Sequence, residues 1–261
     1  MAQHSLQARL RSMWIGARVV LRKSQLVLHE TPPMRAASGD KHCIILHGWA
    51  SAAPNMTNLQ SALRKLPEAG DRRFWNVTYD TMWTSFGDSA QQIVDALSRQ
   101  THDFSDTVLI GYSMGGLVAR QMVALGFPCR ALITLCAPHH GPAPWIPLPP
   151  RGPRSMAGWN SELTRLNQNP IDAAHRNRYH FFAITYSDIF GHHEHDGIVM
   201  TRSALGEGLG EIAHREKIHL KYRMPPTYDP HWRGMFASRI APVFPVAARL
   251  FAGGEDHTTA A

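Results

Sequence analysis

Cysteine is scarce in this chain. Only three of its 261 residues are cysteines, and no two of them form a C-x-x-C pair. A small, odd number of cysteines excludes a disulfide-stapled scaffold, and the missing C-x-x-C pair excludes a cysteine-based metal or redox motif. Two of the three, Cys43 and Cys136, lie in predicted buried strands, and the third is Cys129. We expect free buried thiols and a reducing, cytoplasmic compartment, with one disulfide as the alternative.

Acidic residues are also fewer than basic ones. The chain has 20 Asp and Glu against 27 Lys and Arg, for a net charge of +7. The basic residues are scattered, however, and no helix-turn-helix, zinc-finger spacing or RNA-binding aromatic motif is present. We therefore expect no nucleic-acid partner. The same positive charge could instead favour contact with an anionic membrane surface or with a negatively charged substrate.

The N-terminal segment, residues 1–40, lacks the long apolar run of a secretory signal or a transmembrane span, because arginines interrupt it. Its apolar residues fall on one helical face, with Arg11, Arg18 and Arg22 on the other. Three interpretations stay open: a helix packed on the main domain, a basic amphipathic helix in peripheral contact with a membrane, or a presequence or disordered tail. At the other end, residues 252–261 are small and polar, which predicts a disordered tail.

Between these ends, residues 41–251, strand-like and helix-like patterns alternate and no internal repeat is visible. This order predicts one α/β domain with a mostly parallel central sheet and helices on both faces. The predicted strands are residues 43–46, 74–79, 108–110, 131–136, 179–186 and 217–222. The predicted helices are residues 58–64, 89–97 and 116–123.

The most informative motif is Gly-Tyr-Ser-Met-Gly at residues 111–115. It follows an apolar, β-branched run and precedes a helical pattern, which is the setting of a nucleophile elbow. In such an elbow the serine sits on a strained turn with its hydroxyl presented above the sheet, and the glycines leave room for the neighbouring strand and helix. We predict that Ser113 is a nucleophile. The alternative is a tight turn in which Ser113 only caps the helix.

A second motif, His-Gly-Trp at residues 47–49, follows the strand at 43–46. With the elbow, it resembles the α/β-hydrolase family, and its lipase and esterase branch in particular. The resemblance implies an oxyanion hole made by the backbone N–H groups of Trp49 and Met114, because acyl transfer builds negative charge on the carbonyl oxygen. We expect His47 to hold the loop rather than act as the base, since the family order runs serine, acid, histidine.

The resemblance continues over roughly residues 40–235. Ala-Pro-His-His-Gly at 137–141 is similar to the TPHHG corner of bacterial lipase-like proteins, and Asp-Gly-Ile-Val at 196–199 is similar to their DGxV motif, whose aspartate is the triad acid. Tyr112 stands where true lipases usually carry histidine. Such an elbow also suits esterases, thioesterases and acyltransferases.

The other triad members have rivals, because a serine nucleophile needs a base and the base needs an orienting carboxylate. Asp196 is favoured as the acid over Asp188, which follows the strand at 179–186 closely. His231 is favoured as the base because it lies beyond the last predicted strand. His219, inside that strand, and His214 stay as alternatives.

Residues 138–153 contain seven prolines, with Trp145, Ile146 and Leu148 between them. Proline lacks a backbone N–H and has a fixed φ, so such a segment cannot form a regular helix or sheet. We predict a rigid apolar cap or acyl-pocket wall above the site, with a surface linker as the alternative.

We expect neither a metal nor a cofactor. The histidine-rich residues 191–196 could supply zinc ligands, but consecutive histidines do not converge on one ion without a defined turn, and no H-E-x-x-H is present. We interpret them as a polar loop that presents Asp196. The glycines at 206–210 lack the preceding strand of a dinucleotide loop and are interpreted as a turn.

These residues together predict a serine hydrolase that cleaves carboxylic esters of lipid-like or other acyl substrates through an acyl-serine. An acyltransferase or thioesterase would use the same residues. A catalytically silent scaffold of the same fold is the alternative from a different class. Acyl chain length and oligomeric state stay open.

Overall fold

The computed structural model describes residues 24–37, 39–222, 230–231 and 237–253. The N-terminal residues 1–23, for which three interpretations stay open, and most of the predicted disordered C-terminal tail therefore lie outside the described residues. The strands are β1 (Val27–Thr31), β2 (Lys41–Leu46), β3 (Arg73–Thr78), β4 (Asp106–Tyr112), β5 (Ala131–Leu135), β6 (Tyr179–Asp188), β7 (Gly191–His193) and β8 (His214–Lys221).

The eight strands form one sheet in the order β1-β3-β2-β4-β5-β6-β7, with β8 paired to β6. The pairs from β3 through β6, and the pair of β6 with β8, are parallel. Among the strands of the described residues, only β1 with β3 and β6 with β7 are antiparallel. The predicted mostly parallel sheet is confirmed.

Eight α-helices are described: α1 (Thr57–Arg64), α2 (Phe86–Ser98), α3 (Met114–Ala124), α4 (Arg151–Ser155), α5 (Ser161–Asn167), α6 (Pro170–His175), α7 (Thr201–Ala204) and α8 (Val243–Ala252). Short 3-10 helices lie at Ala53–Met56, Pro67–Ala69, Arg176–Arg178 and Ala237–Arg239. In the part of the chain that the structure describes, no helix is both long and apolar enough to cross a bilayer.

The central strands are buried on both faces because their apolar side chains alternate between two core layers. Ile44 and Leu46 pack with α2, α3 and α5 on one face. Cys43 and Ile45 pack with α1 and α8 on the other. The helices predicted on both faces of the sheet are confirmed, and the parallel strands bring their carboxyl ends to one edge, where the loops that carry the candidate residues meet.

The sheet begins earlier in the chain than the expected boundary at residue 41. Strand β1 pairs with the outer edge of β3 over five residues, Val27 with Thr78 through Thr31 with Phe74. The segment is mostly exposed and of mixed polarity. Because an edge strand needs no continuous apolar run, its sequence carries no strand signal. The domain therefore includes part of the segment that the sequence assigned to the N-terminal extension.

The segment at residues 191–196, interpreted from sequence as a polar loop, is partly a strand. Gly191 and His193 bound β7, which forms a hairpin with the end of β6. The turn is built by Asp188, whose Oδ1 accepts the Phe190 N–H at 2.8 Å, and by Gly191, whose φ of 122° suits glycine. Because this turn folds the chain back onto β6, the polar residues after it form a strand rather than a loop.

Candidate active site

Ser113 lies at the junction between β4, which ends at Tyr112, and α3, which begins at Met114. Its φ of 53° and ψ of −123° are strained for a residue with a side chain. The turn is held by the Ser113 N–H, which donates to Leu135 O at 2.8 Å, and by Ser113 O, which accepts the Gly116 N–H at 2.9 Å. The serine hydroxyl is thereby fixed at the carboxyl edge of the sheet.

Gly111 and Gly115, two residues before and two residues after Ser113, permit close backbone packing. A Cβ on Gly115 would lie 2.3 Å from Leu46 O, and one on Gly111 would lie 2.5 Å from Gly115 O. Neither position has room for a side chain. The elbow therefore sits directly against the segment that follows β2.

Ser113, His231 and Asp196 are joined by hydrogen bonds. The His231 Nε2 lies 3.0 Å from Ser113 Oγ, and His231 Nδ1 lies 2.7 Å from Asp196 Oδ2. Because a carboxylate can only accept, Nδ1 carries the proton and Nε2 is free to accept the serine hydroxyl. The three side chains are almost entirely buried. This arrangement matches a nucleophile, a base and an orienting acid.

Backbone groups hold the Asp196 carboxylate. Its Oδ1 accepts the N–H groups of Ile198 at 2.9 Å and Val199 at 2.7 Å. Burial and the nearby Asp196 carboxylate raise the pKa of the Cys136 thiol well above its ordinary value, so the thiol stays neutral and can hydrogen-bond to that carboxylate. Two backbone N–H groups and one thiol thus stabilise one orientation of the Asp196 carboxylate.

The segment after β2 runs beside the serine. A Cβ on Gly48 would lie 2.9 Å from Ser113 Cβ, and Trp49 follows immediately. The His47 ring stacks on Tyr79 with ring centroids 4.2 Å apart, and burial lowers the pKa of His47 to about 4. A neutral ring donates from Nδ1 to Gly48 O at 2.9 Å and accepts the Tyr79 N–H at Nε2. His47 therefore holds the loop and has no contact with Ser113 among its hydrogen bonds.

A narrow cavity of about 10 Å³ opens onto Ser113 and His231. Its remaining walls are mostly apolar: Trp49, Pro138, Pro142, Ile146, Leu148, Met156, Ile198 and Val199. A few polar groups converging in an apolar cavity are typical of a small-molecule site. This volume is far below the roughly 300–1,000 Å³ of sites that enclose a drug-sized ligand, so an acyl group enters only if the lining side chains move.

With this geometry in view, the comparisons with known proteins give the family. A family model described as the alpha/beta hydrolase fold matches residues 42–243. The chain belongs to the α/β-hydrolase family. No curated protein sequence matches it significantly.

Solved structures share the fold of this α/β hydrolase at low sequence identity. The mature lipase of Bacillus licheniformis superposes with a TM-score of 0.54 and 14% identity, covering 85% of this chain and 98% of its own. A thermophilic carboxylesterase cloned from a metagenomic library gives 0.55 and 11%, covering 97% of each chain. Est1E from Butyrivibrio proteoclasticus, solved with ferulic acid, gives 0.51 and 13%, covering 87% and 94%.

The rival acid has other partners in this α/β hydrolase. Asp188 ends β6, and its Oδ1 accepts from the Phe190 N–H and lies 3.1 Å from His193 Nε2. Those partners all lie in the β6–β7 hairpin. The Asp188 carboxylate thus forms its hydrogen bonds within the hairpin turn, whereas the Asp196 carboxylate bonds to His231.

The rival bases lie elsewhere as well. His219 sits within β8 and contacts Thr185 Oγ1 at 3.0 Å and Ser187 Oγ at 3.1 Å. His214, at the start of β8, pairs with Glu216 at 3.0 Å. A side chain within a strand points to one face of the sheet rather than over its edge. Neither ring therefore reaches Ser113.

The proline-rich segment was expected to be a loop over 138–153, but its last three residues are helical, because α4 begins at Arg151 directly after Pro150. Residues 138–150 contain no helix or strand and line one side of the cavity. Two hydrogen bonds join this segment to the residues that follow Asp196. The Ala143 N–H donates to Ile198 O at 2.7 Å, and Trp145 Nε1 donates to Gly197 O at 3.3 Å. This segment, the cap, lines the cavity with Ile146 and Leu148.

A buried charged network, which the sequence analysis missed, supports the base of this cap. Arg120 on α3 pairs with Asp172 on α6 at 2.7 Å with both side chains buried. It also lies 3.3 Å from His139 Nδ1. Burial and Arg120 lower the pKa of His139 well below its ordinary value, and the neutral ring reaches Thr134 Oγ1 at 3.2 Å. A lone arginine in the apolar pattern of 116–123 is the signal that such a partner exists.

Two groups of three potential metal ligands come together among the described residues, and neither lies within 191–196 alone. One is Cys136, Asp196 and His231, which belongs to the site above. The other is Asp40, His42 and His102. There the Trp75 Nε1–H donates to His42 Nδ1 at 3.0 Å, so a neutral His42 carries its proton on Nε2 and offers no lone pair to an ion. The glycine-rich residues 206–210 form a turn, as expected.

Proposed function

We propose that this α/β hydrolase is a serine hydrolase that cleaves carboxylic esters with apolar acyl groups through an acyl-serine intermediate. The observation that carries the proposal is the continuous hydrogen-bond chain from Ser113 Oγ through His231 to Asp196, with distances of 3.0 and 2.7 Å. Serine is a weak nucleophile without an adjacent base, and this chain supplies one.

In the proposed reaction, Ser113 Oγ bonds to the ester carbonyl carbon while its proton passes to His231 Nε2. The carbonyl electron pair moves onto oxygen, where the backbone N–H groups of Trp49 and Met114 stabilise it. When the carbonyl re-forms, the ester C–O bond breaks and His231 returns the proton to the departing alcohol. Water then repeats the sequence and releases the acid. Asp196 orients the imidazole and stabilises its charged form.

The apolar walls of the cavity support an acyl substrate, because little except Ser113 and His231 is polar there. Two structural neighbours are named as a lipase and a carboxylesterase, which agrees with ester chemistry. Transfer of the acyl group to an alcohol or amine, or hydrolysis of a thioester, would use the same residues. Product analysis with defined acceptors separates these reactions.

The test combines covalent labelling with turnover. We expect a fluorophosphonate probe to label one residue, Ser113, and nitrophenyl esters of graded acyl length to be hydrolysed. Ser113→Ala should abolish labelling and lower kcat on the order of a thousandfold or more, leaving only the residual effects of binding and the oxyanion hole.

Ser187→Ala is the matched control, since Ser187 also contacts a histidine, His219, at 3.1 Å. It should keep both labelling and turnover. Absence of labelling in well-folded protein with no ester turnover would instead support a silent scaffold, and wild-type activity in Ser113→Ala would refute the proposal.

A further inference from the structure

Tyr112 connects the nucleophile elbow with the histidine. It is the last residue of β4, adjacent to Ser113, and its side chain is buried. Its hydroxyl donates a hydrogen bond to the backbone carbonyl of His231. The two rings are also in contact, with centroids 5.3 Å apart. The residue before the serine thus reaches the segment that carries the base.

The direction of this hydrogen bond is fixed. Burial raises the pKa of Tyr112 well above its ordinary value, and the nearby Cys136 and Asp196 act in the same direction. The phenol stays protonated wherever the protein is folded, and a backbone carbonyl can only accept. The contact is therefore present in both protonation states of the base.

The backbone of His231 is held from two sides. Its N–H donates to Asp196 O at 2.9 Å, and its C=O accepts from Tyr112. His231 lies beyond β8, which ends at Lys221, so no strand ladder sets its position. These two contacts, with the side-chain bond to Asp196, define where the imidazole points.

The same ring lies against the segment after β2. A Cβ on Gly48 would lie 3.2 Å from Tyr112 Cδ1 and 3.3 Å from Cε1, so the ring packs on the backbone next to Trp49. Tyr112 therefore contacts the base segment with its hydroxyl and the oxyanion segment with its ring. A histidine here would lack the reach of the phenol.

We propose that Tyr112 is a positioning residue, whose hydroxyl holds His231 in register with Ser113 during acyl transfer. The inference rests on the proposed function, in which His231 is the base. It predicts that loss of the hydroxyl slows proton transfer from Ser113 while the acyl cavity, to which Tyr112 contributes no wall, still binds substrate.

The test is Tyr112→Phe, which removes only the hydroxyl. A small displacement of a reacting group costs up to about a hundredfold in rate. We expect kcat and the first-order rate constant of fluorophosphonate labelling to fall together by about tenfold or more, with KM changed by less than about twofold.

The matched control is Tyr179→Phe. Tyr179 is also buried and its hydroxyl also makes a hydrogen bond, 3.1 Å to Asp172 Oδ1, away from the site. It should lower the melting temperature without changing kcat or the labelling rate constant. Both variants are assayed well below their melting temperatures, so that the rate constants compare folded proteins.

Two outcomes would overturn the inference. One is a wild-type kcat and labelling rate constant in Tyr112→Phe. The other is an equal loss in both variants, which would assign Tyr112 a general role in the core. In either case, activity that still depends on Ser113 leaves the proposed function intact, whereas activity in Ser113→Ala removes the basis of both.

Discussion

At the scale of single residues, the three side chains of the site are held by backbone groups as well as by one another. Ser113 is fixed by Leu135 O, Asp196 by the N–H groups of Ile198 and Val199, and His231 by Asp196 O. Reaction rates depend steeply on such placement because reacting atoms must meet at about 3 Å. The backbone contacts fix where each side chain starts, and the hydrogen bonds among the side chains then select their rotamers.

The acid assignment is tested by a pair of substitutions. Asp196→Asn keeps the side-chain shape but can place an N–H toward His231 Nδ1, which disfavours the tautomer that accepts from Ser113. We expect kcat to fall on the order of a thousandfold. Asp188→Asn should change kcat by less than about threefold, since Asp188 bonds within the β6–β7 hairpin. The reverse ranking, measured by steady-state kinetics on a nitrophenyl ester, would transfer the role to Asp188.

At the scale of elements, the cap is the part of the molecule that limits the cavity. The segment 138–150 has no helix or strand, yet its prolines restrict φ. Its Ala143 N–H donates to Ile198 O, and its Trp145 side chain donates to Gly197 O. A wall of this kind resists expansion when a longer acyl chain enters. Substrate length should therefore be set by the cap side chains that point into the cavity.

Ile146→Ala tests this role of the cap, because Ile146 is 9% exposed and lines the cavity. In the wild type, kcat/KM should rise about fourfold per methylene, from about 0.8 kcal/mol each, until the cavity is full. The variant should shift the optimum toward longer acyl chains by roughly two methylenes.

The control is the same substitution at Ile189, which is 63% exposed and does not line the cavity. Ile189→Ala should leave the chain-length profile unchanged, as measured with nitrophenyl esters of graded length. An unchanged profile in Ile146→Ala would mean that another wall sets the limit.

At the scale of the whole molecule, the sheet and the segments packed against it bury several histidines. Burial lowers the pKa of His42 and of His47 to about 4, and that of His139 well below its ordinary value. Each is therefore neutral in the folded protein at a pH where it would be charged in the unfolded chain.

The consequence is a loss of stability in acid. Above pH ~6.5 these rings are neutral in both states and impose no penalty. As the pH falls from about 6.5 toward 4, the unfolded chain binds protons that the folded protein does not, so the free energy of unfolding decreases. We expect Tm to be nearly constant from about pH 7 to 8 and to fall steadily below 6.5.

His42→Gln should flatten this dependence, with a difference on the order of 2 kcal/mol at pH 4.5 relative to the wild type. Glutamine can still accept from Trp75 but does not titrate. Ile189→Ala, at an exposed position and without loss of a titratable group, is the control and should leave the slope unchanged. Thermal melts at pH 7.5, 5.5 and 4.5 measure the effect, and an unaltered slope in His42→Gln would count against it.

Much of this architecture follows from local sequence. Apolar β-branched runs such as Leu109-Ile110 predict buried strands, and the alternation of strands and helices predicts a parallel sheet, since both signals act over a few residues. The glycines around Ser113 mark the elbow because only a small residue fits there. Edge strand β1 and the short β7 were not predicted, since exposed strands of mixed polarity carry no such pattern.

The sequence by itself thus determined the fold class, the elbow and the set of candidate residues. It did not determine which candidates meet. Only the tertiary structure decided this, because Ser113 and His231 are 118 residues apart in the chain and still share a hydrogen bond, and because Tyr112 reaches His231 across 119 residues. Local propensity acts over a few residues, whereas such contacts depend on how the strands align and where their loops cross the edge of the sheet.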